Sequence, residues 1–117
     1  MEYSNIEKVL VSEIKLKPIE AEIFLLVTCN GKMNSQTIAE HLDMDIEQAT
    51  AISKNLISLG AFIDLDNSEF EAMHPRFTAV NMYRRMCESN NIEFKRNKIV
   101  DSIGVILEKP YDDARTK

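Results

Sequence analysis

Between Ser35 and Leu59 two helical periodicities meet across only three residues, and no other stretch constrains this chain as tightly. Ser35 is placed as an N-cap, and Ile38, Ala39 and Leu42 then recur on one face of a short helix. Asp43-Met-Asp45 forms the turn, with Asp45 placed to cap a second helix. In that helix Ile46, Ala49, Ile52, Ser53, Leu56 and Leu59 line one side, and Gly60 follows where a left-handed residue ends a helix. Two helices joined this closely have the helix-turn-helix spacing. At ~100° per residue the opposite face of the second helix carries Glu47, Ala51, Lys54, Asn55 and Ser58, with Gln48 and Thr50 at its edges.

The flanking segments extend the pattern. Upstream, Ile6, Val9, Leu10 and Ile14 predict an amphipathic helix that breaks at Leu16-Lys-Pro18. Pro18 suits the first turn of the next helix, whose Ile19, Ile23, Leu26 and Val27 face a core, and Asn30-Gly31 turns the chain. Downstream, Ala61 to Leu65 and Glu69 to Met73 alternate about Asp66-Asn-Ser68, the mark of a hairpin. Thr78 is placed to cap a helix lined by Ala79, Met82, Tyr83, Met86 and Cys87. Ile99, Val100, Ile103, Ile106 and Leu107 line a last one, which Pro110 is expected to kink or interrupt. The fold class expected is mainly α: a winged helix-turn-helix with flanking N- and C-terminal helices. One domain spans residues 1–117, with a core over 16–75 and terminal helices near 4–15 and 95–117.

With 44% hydrophobic residues in 117, the chain can bury one core. Its longest apolar run, Ile23 to Val27, is far too short to cross a membrane, so no membrane partner is expected and the localisation expected is cytoplasmic. Cys29 and Cys87 fall on apolar stripes without a paired spacing, which reads as two free thiols. Neither a metal-ligand cluster, a phosphate loop nor a nucleophile motif is present, so no metal, cofactor or enzymatic activity is expected. The net charge of −5 is unevenly spread. Met1–Lys17 is neutral, Pro18–His74 carries ten acids against Lys32 and Lys54, and Pro75–Lys117 has nine bases against six acids.

Leu16, Glu20, Ala21, Ile23 and Phe24, then Ile38-Ala39, then Leu56, Leu59, Gly60 and Phe62, resemble the DNA-binding domain of the archaeal TrmB-type transcriptional regulators. The likeness covers roughly Leu16 to Met86. It implies a dimeric regulator of double-stranded DNA with the second helix in the major groove and with Gln48, Thr50, Ala51, Lys54 and Asn55 at recognition positions. Lys17 stands where that family has a capping hydroxyl, and the recognition helix here lacks arginine.

Two functional expectations follow. The first is a homodimeric, sequence-specific DNA-binding transcriptional regulator. Gln48 or Asn55 would read adenine, Thr50 and Ala51 would meet thymine methyls, Lys54 would bind guanine or phosphate, and Arg76, Arg84, Arg85, Lys95, Arg96 and Lys98 would hold the backbone. Its dimer interface would bury the stripes of the terminal helices, namely Ile6, Leu10, Ile99, Ile103, Ile106 and Leu107. The second is a winged-helix protein-interaction module whose acidic surface takes a basic protein partner instead of DNA. An alternative to the dimer is that the terminal helices pack together within one chain.

Overall fold

The computed structural model describes residues 2–116. Among them are six α-helices and one three-stranded antiparallel sheet. The helices are α1 (Ile6–Glu13), α2 (Pro18–Asn30), α3 (Ser35–Leu42), α4 (Ile46–Ser58), α5 (Pro75–Ser89) and α6 (Lys98–Arg115). The strands are β1 (Met33–Asn34), β2 (Phe62–Leu65) and β3 (Glu69–Ala72), in the order β1-β3-β2. None of the helices is long and apolar enough to cross a membrane.

Helix α2 is the central beam. Ala21, Ile23, Phe24 and Val27 are all fully buried, and α1, α4, β3 and α6 pack around it. The hairpin closes one side of this core with Phe62 and Phe70, and the Phe62 ring stacks on Phe24 at 6.4 Å. Period-2 alternation determines which residues go inside: Phe62 and Phe70 point inward, whereas Ile63 is exposed.

Several boundaries differ from the sequence expectation, each for a local reason. The cap of α3 is Asn34, whose Oδ1 accepts the Thr37 N–H at 2.8 Å, and Ser35 is the first helical residue. Both residue types cap well, and Asn34 has the extended backbone that a cap requires. Asp43 takes the left-handed conformation (φ 50°) that ends α3 and makes the turn into α4. Helix α5 starts at Pro75, with His74 Nδ1 accepting the Arg76 N–H at 3.1 Å, and Thr78 is buried in its first turn. Two-residue β1 pairs Met33 with Phe70.

The terminal helices do not form the expected exposed seams. Ile6, Leu10, Ile103 and Leu107 are fully buried inside the single chain, Ile106 is half-buried against the same core, and Ile99 alone is exposed. Helix α6 lies against α5, α2 and α1, so the two stripes cover each other and the core. These stripes therefore do not form an exposed seam at the expected positions other than Ile99. The approach of α6 to α5 depends on Gly104, because a Cβ there would stand 2.7 Å from Arg76 Cα.

Pro110 lies inside α6 without ending it. Beyond it, Arg115 anchors the last turn. Its guanidinium donates to the Thr28 and Tyr111 carbonyls at 3.3 and 3.0 Å and to that of Ala72 at 3.3 Å, and lies over the Tyr111 ring. Thr28 belongs to the last turn of α2, whose carbonyls lack helical partners and sit at the negative end of the helix dipole, so a cation there is stabilising.

Candidate nucleic-acid interface

Helix α4 packs Ala49, Ser53 and Leu56 inward and keeps Gln48, Ala51 and Lys54 in solvent, so these three expected positions are free to meet a ligand. Two others are tied within the chain. The Thr50 hydroxyl lies 2.7 Å from that of Ser35 and donates to the Ile46 carbonyl at 2.9 Å, which joins α4 to α3. Asn55 Nδ2 donates to Glu20 Oε2 at 2.6 Å, while Glu20 Oε1 accepts the Lys17 N–H at 2.8 Å. Glu20 therefore closes the first turn of α2 and fastens α4 to it. Asn55 stays exposed, but one of its two amide N–H donors is held by Glu20, which fixes the orientation of its side chain. Asn55 thus ties α4 to α2.

The tail cations do not assemble beside α4 as expected. Met82, Arg85, Met86 and Ser89 line a hollow together with Asn55 and Leu59, whereas Val80 and Tyr83 line another with Lys95 and Arg96. At ~100° per residue these two sets occupy opposite sides of α5. Arg85 alone of the six reaches the α4 side. Arg76 pairs with Glu108 at 2.9 Å, Lys95 with Glu93 at 3.6 Å and Arg96 with Asp101 at 3.0 Å, so nearby carboxylates offset three of the charges. Arg84 lies over Phe94, 5.3 Å from the ring centre, and Lys98 is exposed at the start of α6.

In their place the fold brings two lysines of the neutral N-terminal segment to α4. A cleft of about 390 Å³ runs between α2 and α4, lined by Lys17, Ile19, Gln48, Ala51, Ile52 and the Glu20–Asn55 bond. A second hollow of about 200 Å³, which shares Glu20 and Asn55 with it, is lined by Lys15, Leu59 and Arg85. Lys15, Lys17, Lys54 and Arg85 are all exposed and form no ion pair among the described residues. Lys15 holds a left-handed backbone (φ 66°) at the α1–α2 bend, which brings its side chain to this rim. Reading charge by segment hid these lysines, since the Pro18 break that ends α1 also folds residues 15–17 back onto α4.

The other end of α4 is anionic. Asp43, Asp45 and Glu47 are exposed around its N-terminus, as are Asp64 and Asp66 on the hairpin. The polar face thus grades from acidic at the α3–α4 turn to basic where α4 meets α5. No family model, curated protein or solved structure matches this chain.

Proposed function

We propose that this chain is a DNA-binding transcriptional regulator of the winged helix-turn-helix type, with α3 and α4 as the helix-turn-helix and β2–β3 as the wing. The observation that carries this reading is the group of four exposed cations without an ion pair among the described residues, Lys15, Lys17, Lys54 and Arg85, near the exposed Gln48 and Ala51 of α4. In this arrangement the exposed face of α4 from Gln48 to Lys54 enters the major groove. Gln48 is the side chain with both a donor and an acceptor free for a base edge, Ala51 provides a methyl-sized contact, and the cations neutralise flanking phosphates. The acidic turn and wing lie outside the footprint, where repulsion from phosphate fixes the orientation of the protein on the duplex.

A salt titration tests this. Each phosphate neutralised steepens the dependence of log affinity on log salt by about 0.9, so four cations give a slope of about −3 to −4. Lys54→Ala should flatten that slope by about 1, for every sequence alike if Lys54 meets phosphate. Binding that is absent at low salt, or indifferent to Lys15, Lys17, Lys54 and Arg85 together, would overturn the proposal.

The acidic end of α4 favours a second reading. Asp43, Asp45 and Glu47 at the α3–α4 turn, and Asp64 and Asp66 on the hairpin, are exposed carboxylates suited to a basic protein segment, and a winged helix using them would be an interaction module. Charge reversal of Asp43 and Asp45 should then abolish partner binding, whereas under the first reading it strengthens DNA binding.

A further inference from the structure

The side of α5 turned away from α4 carries a feature with no part in DNA binding as proposed. Val80, Tyr83, Phe94 and Val100 wall a cavity of about 170 Å³ between α5, the chain leading from it and the start of α6. Tyr83 and Phe94 meet at 6.0 Å between ring centres, and Phe94 and the neighbouring Ile92 remain 45% and 48% exposed. Apolar side chains at this exposure on either side of a small hollow are suited to one inserted side chain.

The charge around the hollow is mixed, with cations in excess: Asp101 lines it too, paired with Arg96. Lys95 and Arg96 line it, and the Arg84 guanidinium over Phe94 has no carboxylate partner among the described residues, nor has Lys98. Glu93 and Asp101 offset Lys95 and Arg96, which leaves Arg84 and Lys98 as net positive charge on a chain whose total is −5. Exposed cations beside an apolar cavity select a ligand with carboxylates flanking an apolar group. A duplex meets this description poorly, because its phosphates carry no side chain to fill the cavity.

We propose that this hollow docks an acidic peptide segment with one aromatic or branched aliphatic anchor. The anchor occupies the cavity, and carboxylates beside it pair with Arg84 and Lys98. Because the α4 cleft lies on the opposite side of α5, a regulator bound to DNA could hold such a partner at the same time.

The test uses the full chain and three fluorescein-labelled heptapeptides of alternating aspartate and glutamate with a central residue: phenylalanine, alanine, and phenylalanine with lysines replacing the acids. Fluorescence polarisation should show the phenylalanine acidic peptide binding about tenfold more tightly than its alanine counterpart, with the lysine version not binding. Arg84→Glu should weaken the acidic peptide, and Val80→Phe, which fills the hollow, should erase the advantage of the anchor. Should Val80→Phe fail to fold, amide shifts of the unsubstituted protein on peptide addition serve instead, and these should centre on Val80, Tyr83, Phe94 and Val100. The proposal is overturned if the two acidic peptides bind equally, if neither binds saturably, if the shifts fall elsewhere, or if a DNA duplex displaces the peptide from this face.

Discussion

Helices α4 and α6 carry apolar stripes of similar quality, yet the fold uses the two helices in opposite ways. Helix α6 spends its stripe inside the chain, with Ile103 and Leu107 fully buried, and leaves only Ile99 and Val105 as exposed large apolar side chains. Helix α4 buries a narrower stripe and divides its polar face: Thr50 and Asn55 bond to the neighbouring helices α3 and α2, while Gln48, Ala51 and Lys54 make no such bond. An apolar stripe therefore shows that something covers a helix without saying what. A polar side chain opposite the stripe is free only if no neighbouring helix has a complementary group within reach.

The largest expected effect breaks the α6 half of this comparison. Leu107→Ala should cost about 2–5 kcal/mol in urea unfolding, as truncation of a fully buried leucine does, at a midpoint independent of protein concentration. A seam between two copies would instead make that midpoint rise with concentration. The next effect sharpens the α4 half. Asn55→Ala leaves one oxygen of the buried Glu20 carboxylate without its donor and should cost about 1–3 kcal/mol. If Asn55 were a free base reader, the same change would leave stability untouched and alter only DNA preference.

The smallest effect concerns Tyr3, in the turn just ahead of α1. The Tyr3 hydroxyl lies 3.3 Å from Cys29 Sγ on α2, and its pKa is pushed up from 10.0 to about 12, first by that hydrogen bond and then by burial. Below pH 10 the phenol is neutral in both folded and unfolded chains. Between 10 and about 12 only the unfolded chain ionises, so stability should fall across that window, and Tyr3→Phe should reduce the fall. Burial holds the Cys29 thiol above its ordinary pKa, and the Tyr3 hydrogen bond and Arg115 charge offset this in part. Tyr3→Phe should thus raise that pKa further and slow alkylation of Cys29 at mildly alkaline pH; faster alkylation would contradict the assigned contact.

Most of the architecture was legible in the residues because it rests on periodicity. The stripes of α2, α4 and α5, the hairpin alternation and the Gly60 stop all lie where apolar spacing and turn chemistry predict them. Strand β1 was not legible, since two residues cannot display an alternation. The caps shifted where adjacent residues were both competent, as at Asn34 and Ser35, or where a histidine took the role, as at His74. Helix α6 continues through Pro110 because Arg115 finds acceptors at the end of α2 and on β3, and these are contacts between residues distant in sequence. The site was legible only in part for the same reason. Gln48, Ala51 and Lys54 followed from the face of one helix, whereas the contribution of Lys15 and Lys17 depends on a bend that folds them onto α4, and the charges of the tail divide across α5.

Amide chemical-shift mapping with a DNA duplex at low salt tests the central claim most directly. The account predicts shifts at Lys15, Lys17, Gln48, Ala51, Lys54 and Arg85 that fade together as salt rises, with Arg84, Lys95 and Arg96 unmoved. Shifts centred on Arg84, Lys95 and Arg96, or none at all at the lowest salt, would contradict it.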